Sequence, residues 1–433
     1  MTDRSSVDQI ISRYDLNKFH YIIFLIGGSG YFFDAMDVAS ISFILPVLKI
    51  QWQLSNVQLG EIGSATFVGY ILGALISGKL ADRFGRKNIM IAGLIIYCFS
   101  AFFCAASNSF YQILAARCFG GIGIGAESVI IAPFLTEFVP QKYRGRFAGG
   151  MSGFISLGFV AAALIGYLTI PISPSGWRVF FGICGLPLLL VPLWAAILEE
   201  SPVWLASQNR LQDAARVLSR VYGKTIQTHE ISAQVKQISP PNWREFFLTQ
   251  YPAMFATSGL SFFLMFGYYA FFTWLPQLLV LRGETVSNGI YASILPFAAQ
   301  IPGYFGAAWL IDRLGALRVA AIFLIFSVIT ALVLSLEPSV SMIKNSSILL
   351  AFFVNGVMAS AYAFIPFVYP TQFRAMGTSV TASLGRTGAI LAPIIIGWLY
   401  NFWGVGGAFG LIAAELCVAV ILVLTILPKI KSY

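Results

Sequence analysis

Charge is what this chain has least of. Asp, Glu, Lys and Arg make up 10% of its 433 residues, against about 25% in an average soluble domain. Histidine is nearly missing, with only His20 and His229, which excludes a His-based metal centre or a Ser-His-Asp type of catalysis. No Gly-Lys-Ser/Thr phosphate loop is present, so ATP is not expected to drive anything here. The five cysteines, Cys98, Cys104, Cys118, Cys184 and Cys417, sit inside apolar runs without disulfide or metal spacing; they read as small apolar fillers. What fills the chain instead is apolar: 58% hydrophobic residues, with 38 Phe and 9 Trp, and a mean hydropathy of +0.80. One soluble core of this size cannot hide so many rings, so the chain is expected to be an integral membrane protein, an all-α one.

The net charge of +9 invites a nucleic-acid reading, which its distribution rejects. A helix needs about 20 apolar residues to cross a bilayer. Runs of that size lie near 20–48, 57–80, 88–107, 111–138, 147–171, 179–198, 250–281, 287–311, 317–336, 346–369, 374–400 and 406–428. With both termini in the cytosol, twenty-one of the 27 Lys and Arg fall in cytosolic segments, including Arg4, Lys236, Lys429 and Lys431. Only Lys49, Arg178, Arg282 and Lys344 fall outside, and Arg117 and Arg386 fall within spans. This asymmetry orients the chain in the membrane and needs no phosphate-binding face.

Four regions follow: a polar cytosolic tail over 1–19 without a cleavable signal, a six-helix bundle over 20–198, a cytosolic linker over 199–249, and a second bundle with a short tail over 250–433. In the linker, Ser201-Pro202 has the cap-then-proline order of a helix start. Leu211, Ala214, Leu218 and Val221 then recur at helical spacing. The two bundles repeat. Gly73, Asp82, Arg83, Gly85, Pro140 and Arg144 return as Gly303, Asp312, Arg313, Gly315, Pro370 and Arg374, each displaced by 230 positions. Duplicated halves with a site between them are a transporter architecture working by alternating access, not that of an enzyme.

The loop after span two, Gly78-Lys-Leu-Ala-Asp82-Arg83-Phe-Gly85-Arg86-Lys87, matches the loop signature of the major facilitator superfamily, and Asp312-Arg313-Leu-Gly315 is its second copy. With Arg117-Cys-Phe-Gly-Gly121 in span four, Glu137-Phe-Val-Pro140 after it and Glu199-Glu-Ser-Pro-Val-Trp204 after span six, nearly the whole chain resembles the sugar-porter-like and organic-ion branches. It is most similar to bacterial niacin (nicotinate) transporters and aromatic acid:proton symporters. That likeness rests on Phe33-Asp34-Ala-Met-Asp37, Gly125-Ala-Glu127, Tyr268-Tyr269 with Trp274-Leu-Pro, Gln300-Ile-Pro-Gly-Tyr304, Tyr369-Pro-Thr-Gln-Phe-Arg374 and Gly385-Arg386. The group usually carries a Glu just before Tyr-Pro-Thr, where this chain has Phe367-Val368. The glutamine-rich motifs of sugar porters are absent.

Charges inside the hydrocarbon region are functional candidates by default. Asp34 and Asp37, three apart, share one face of span one, and Glu127 lies near mid-depth of span four. Desolvation favours a protonated carboxyl, whereas a nearby Arg favours the ionised one, so a carboxyl whose Arg moves is a proton switch. Resemblance to proton-coupled porters matches their span-one Asp and span-four Arg to Asp37 and Arg117. Asp37 is thus the expected proton acceptor, with Asp34 or Glu127 as a second titrating group. A permanent ion pair joining two helices is the rival reading.

Arg386, among the small residues Gly385 and Gly388, has a fork suited to a carboxylate, or else it satisfies backbone carbonyls. Tyr268, Tyr269, Phe272 and Trp274 form a ring cluster that either stacks on a flat substrate or packs the bundle. Gln300, Asn355 and Tyr362 are candidate hydrogen-bonding partners. Asp82 ends a helix, where the macrodipole disfavours an anion. It therefore calls for a cationic partner, which places Asp82, Arg83, Gly85, Arg86 and Arg144, with Asp312, Arg313 and Arg374, in a cytosolic gate. The expectation is proton-coupled import of a small organic acid such as nicotinate by a monomer of the bacterial inner membrane. It needs no cofactor beyond protons, no metal and no nucleic acid. Proton-antiport efflux, sugar or amino-acid symport and a non-transporting nutrient receptor are the alternatives.

Overall fold

A computed structural model describes residues 6–231, 242–336 and 339–426. Arg4, Lys236, Lys429 and Lys431 of the topology argument, and the expected end of the last span at 428, lie outside the described residues. Helix dominates, and eleven helices are long and apolar enough to cross a membrane. In chain order they are α1 (Lys18–Trp52), α2 (Asn56–Phe84), α3 (Arg86–Ala106), α4 (Phe110–Thr136), α5 (Arg144–Thr169), α6 (Gly176–Ile197), α7 (Tyr251–Leu281), α8 (Val286–Leu314), α9 (Ala316–Ser335), α10 (Val340–Val368) and a continuous run over Arg374–Ile421. That run holds two spans. Gly404 leaves the helical region at φ 60°, ψ −154°, a conformation that only glycine adopts cheaply. It separates α11 (374–403) from α12 (405–421), giving the twelve-helix, two-bundle architecture.

The breaks between spans have local causes. Ser55 and Ser339 accept the backbone N–H of Gln58 and Met342, capping α2 and α10. Val340–Val368 starts six residues before the expected 346, because Ser339 supplies that cap; Lys344 thereby falls on the helix and donates to Glu284 at 2.6 Å. Within α6, Pro187 and Pro192 tighten Leu186–Leu190 into a 3₁₀ turn. The repeat at offset 230 has a conformational reason at one pair. Gly85 and Gly315 end α2 and α8 with φ +94° and +83° and ψ near 150°, where a side chain would be strained.

Glycine also sets how closely helices approach. Gly69 and Gly73 of α2 face Cys118 and Ile122 of α4, while Gly121 and Gly125 of α4 face Thr66 and Tyr70 of α2. In each case an added Cβ would strike backbone, which is the close-packing logic of small residues in membrane helices. The linker packs on the first bundle. Ser201 caps Pro202–Ser207, and Leu211–Tyr222 buries Ala214, Leu218 and Val221.

Contacts between the two halves are confined to one side. From the outer end inward, Asn56 Nδ2 donates to Asn401 Oδ1 at 2.7 Å, Gly60 abuts the Pro393 backbone, and Ser64 Oγ donates to the Ile390 carbonyl at 2.5 Å. Phe67 then meets Tyr269, and Tyr70 meets Arg386. Deeper than Tyr70, no hydrogen bond, ion pair or ring contact joins the halves among the described residues. The outer side is closed and the cytosolic side is parted.

Candidate functional site

Between the halves, inward of that closure, lies a cavity of about 600 Å³. Its N-half wall carries Tyr31, Asp34, Phe67, Tyr70, Ser128 and Phe159; its C-half wall carries Tyr268, Tyr269, Gln300, Asn355, Tyr362 and Arg386. Ala148 and Ser152, near the cytosolic end of α5, also line it, so it extends toward the parted side. Of the sequence candidates, the structure gathers Asp34, Arg386, Tyr268, Tyr269, Gln300, Asn355 and Tyr362 on one surface.

Arg386 is the one cationic side chain on the wall among the described residues. Its guanidinium lies 4.1 Å above the Tyr70 ring, and Nη2 donates to the Tyr70 hydroxyl at 3.2 Å. The stack holds a planar cation at the meeting of α2 and α11, where the Tyr269 side chain also hydrogen-bonds it from the C-half wall. Tyr70 was not among the sequence candidates. A hydroxylated ring one residue after Gly69, in a helix otherwise small and apolar at that depth, was the available signal. On the C-half wall the Tyr268 hydroxyl donates to Gln300 Oε1 at 2.8 Å, and the Tyr269 ring lies 4.3 Å from that of Phe67. Asn355 Nδ2 donates back to the Ala351 carbonyl at 2.9 Å.

Phe272 and Trp274 lie elsewhere. Phe272 is buried between Tyr268 and Phe297. Trp274 is fully buried, and its indole N–H donates to the Pro393 carbonyl at 3.0 Å. Helical geometry explains the split, since Tyr268 and Tyr269 face the cavity while positions 272 and 274 turn toward α8 and α11.

The acidic candidates divide as well. Asp34 faces the cavity, where Oδ2 accepts from Ser128 Oγ at 2.9 Å and Oδ1 has no partner. One turn on, Asp37 is buried beside α4: Arg117 Nη1 donates to its Oδ2 at 2.8 Å and Nη2 to its main-chain carbonyl at 3.1 Å. Arg117 is 1% exposed and lies over the Phe181 ring at 5.7 Å. Asp37 Oδ1 and Arg117 Nε remain unpartnered. Glu127 does not border the cavity. It sits on the face of α4 against Gly30 of α1 and Gly93 of α3, with both carboxyl oxygens buried and unpartnered. Glu415 of α12, for which the sequence suggested no role, is buried against Gly267.

The loop signature forms a charged network in the first half. Arg86 pairs with Glu137, and Glu200 accepts the backbone N–H of Arg86 and Lys87 at 3.0 and 3.2 Å, capping α3. Glu137 also takes the Ser201 hydroxyl, and the Asp82 carbonyl accepts from the Trp204 indole at 2.9 Å. Arg144, expected near Asp82, instead reaches Asp8 at 2.6 Å and the Val139 carbonyl at 2.9 Å. Nothing in the sequence pairs a tail residue with that loop. Beside it, Lys142 holds the exposed Asp15 carboxyl below its ordinary value by hydrogen bond and charge. Arg83 covers Phe84, Arg313 covers Trp309 at 3.8 Å, Arg374 Nε donates to the Pro366 carbonyl at 3.0 Å, and Asp312 is exposed. Glu137 and Glu200 are the participants that sequence reasoning passed over. Glu137, an anion at the C-terminal end of α4, was legible by the same macrodipole argument as Asp82.

The chain matches the sugar (and other) transporter family over residues 19–432. It is 33% identical over 390 residues to the niacin transporter of Acinetobacter baylyi, covering 89% of this chain and 88% of that one. It is 26% identical over 407 residues to the 4-hydroxybenzoate transporter of Pseudomonas putida, covering 92% and 90%. Among solved structures, a D-xylose-proton symporter superposes with a TM-score of 0.79 at 16% identity, over 96% of this chain and 100% of that one. At that identity the likeness is one of fold.

Proposed function

The chain belongs to the sugar (and other) transporter family of the major facilitator superfamily, and from that premise we propose that it imports a small aromatic carboxylate, such as nicotinate, by proton-coupled alternating access. The observation that carries the reading is Arg386, a lone wall cation held flat over Tyr70 in a cavity that several aromatic rings border. A guanidinium held by Tyr70 and Tyr269, with no ion-pair partner among the described residues, suits a carboxylate, and Tyr268, Tyr269 and Tyr362 offer faces and edges to a flat ring. The niacin and 4-hydroxybenzoate relatives support the same chemistry. The protein acts as a monomer in a bacterial inner membrane.

Coupling is assigned to α1 and α4. Asp37 is the proton acceptor and Arg117 its partner; protonation of Asp37 removes the charge that holds the guanidinium and frees the two helices to shift. Asp34, on the cavity wall one turn away, is the group through which protons arrive, and Glu127 is a buried companion to it. The parted cytosolic side is the releasing state, and the Arg86–Glu137–Glu200 network keeps the cytosolic end of the first bundle rigid as the halves rock.

Labelled nicotinate uptake into proteoliposomes, with and without an inward-directed proton gradient, tests this. Gradient-driven accumulation that is lost in Asp37→Asn, with exchange retained, is the expected outcome. Uphill uptake surviving in the variant would overturn the coupling assignment, and no uptake under either condition would overturn the substrate.

A further inference from the structure

Two buried donors on the cavity wall have no partner among the described residues, the Thr66 hydroxyl and the amide nitrogen of Gln300, and only the amide is held by a neighbouring side chain. Gln300 of α8 is 1% exposed. A carboxamide carries two N–H donors on nitrogen and two acceptor sites on oxygen. The oxygen is engaged: Tyr268, itself buried on α7, donates its hydroxyl to Oε1 at 2.8 Å. The nitrogen is not: Gln300 Nε2 is buried and has no partner. With the Tyr268 hydroxyl donating to Oε1, the oxygen end of Gln300 is spent and the nitrogen end is left over. Both side chains border the cavity that also contains Arg386.

A buried donor left unpaired is costly, and its neighbours do not relieve it. Asn355 turns its own Nδ2 to the Ala351 carbonyl of its helix. Tyr304 and Tyr362 border the cavity, and neither makes a hydrogen bond to Gln300. Such a site discriminates by what it would leave unpaired. A ligand with an acceptor at that place satisfies the amide; an isosteric ligand with a C–H there desolvates it for nothing.

We propose that Gln300 Nε2 reads a ring nitrogen of the substrate, so that the site selects a pyridine carboxylate over the benzoate of the same shape, with Tyr268 as the positioning residue that holds the amide the right way round. The neutral pyridine nitrogen offers a single in-plane lone pair and no hydrogen, which suits a donor and repels an acceptor. Arg386 takes the carboxylate at the other end. This assignment rests on the aromatic-carboxylate reading above and narrows it to one chemical class.

The test is calorimetric titration of the purified, full-length protein in detergent with nicotinate and with benzoate, which differ by one N-for-CH exchange. Unmodified protein should bind nicotinate roughly ten- to a hundredfold tighter, the range expected from one buried donor paired or unpaired. Gln300→Met, which keeps length and loses the donor, should bring the ratio to about one, chiefly by weakening nicotinate. Gln300→Glu, still able to accept the Tyr268 hydroxyl, should do the same. In Tyr268→Phe the amide is free to turn, so the ratio should fall while the total affinity for aromatic acids stays measurable. A merely structural role for Tyr268 would weaken both ligands together. Equal binding of the two acids by unmodified protein overturns the assignment, as does a preference for nicotinate that survives in both Gln300 variants. Those outcomes leave the aromatic-carboxylate reading standing. Failure of both acids to bind unmodified protein overturns that reading and this assignment with it.

Discussion

Removing Asp37 should do two separable things, and the buried pair allows each to be predicted. Arg117 is 1% exposed and Asp37 3%, and the guanidinium donates to both the carboxylate and the main-chain carbonyl of residue 37. In Asp37→Asn the carbonyl contact remains, but a full positive charge stays buried without its counter-ion. Breaking a buried pair by removing one partner costs about 3–5 kcal/mol, whereas replacing both partners by neutral groups is often close to neutral. If the first bundle melts as a unit of about the size for which 1 kcal/mol shifts Tm by roughly 2–4 °C, the single variant should melt about 6–20 °C lower. Arg117→Met alone should fall by a similar amount, because it strands the carboxylate. The double variant Asp37→Asn with Arg117→Met should recover most of the loss.

Transport should follow a different pattern. If the pair is a proton switch, uphill uptake is lost in both single variants and stays lost in the double variant, whose stability has returned. If the pair only joins α1 to α4, uptake returns together with stability. The assay is therefore a double-mutant cycle read twice, by thermal melting in detergent and by gradient-driven accumulation in proteoliposomes. Recovery of both readouts in the double variant would refute the switch. Melting that is additive across the cycle would refute the coupling between the two charges inferred from their 2.8 Å contact.

Three further outcomes follow from the geometry. Trp274→Phe loses the donor to the Pro393 carbonyl and should cost about 1–3 kcal/mol of stability, with an unchanged KM because the indole is off the cavity wall; a raised KM would place it at the substrate. Gly60→Val sets a Cβ against the Pro393 and Ile394 backbone and should block outer closure, so that Ser64→Cys in that background reacts faster with an impermeant maleimide applied from outside; unchanged labelling of a folded variant would refute the closure. Arg386→Lys keeps the charge but loses the planar stack on Tyr70 and the bidentate fork, and should raise KM about tenfold or more, whereas Tyr70→Phe, which keeps the ring, should change it little.

How far the sequence reaches is visible in α4 and α7. Hydropathy located every span, because the bilayer imposes length and apolarity on any helix that crosses it, and the offset of 230 located the two halves. Even the join of α11 and α12 was legible as a break near 400–406, though not the conformation of Gly404 that makes it. Direction around each helix was far less legible. In a membrane helix nearly all sides are apolar, so no amphipathic stripe marks the inner face. Glu127 and Ser128 are neighbours in sequence, yet Ser128 reaches Asp34 on the cavity wall while Glu127 turns to Gly30 and Gly93. Tyr268 and Trp274 read alike as aromatic residues; only packing shows one on the cavity wall and the other clasping α11. The Asp37–Arg117 contact was reached through family resemblance, since a separation of eighty positions carries no local signal of it.

Inward and outward faces of the cavity differ in a way that bears on how the halves can move. Where α2 meets α11, outer contacts between the bundles involve glycine, proline and backbone: Gly60 on Pro393, Ser64 on the Ile390 carbonyl, Gly397 on the Asn56 backbone. Where α1 and α5 meet α7 and α8, rings meet, as in Phe43 with Phe297 and Phe159 with Tyr268. Among the described residues no ion pair crosses this seam, so it separates without breaking one. The cytosolic end of the first half, by contrast, is tied into itself by charged networks around Glu137, Glu200 and Asp8. A rigid end and a separable outer seam suit rocking of two bodies about a central site. Tyr70 and Arg386 are the innermost contact of that seam. The cation that would receive a carboxylate is therefore also the last bond between the halves before the cavity opens, so substrate and seam draw on the same guanidinium.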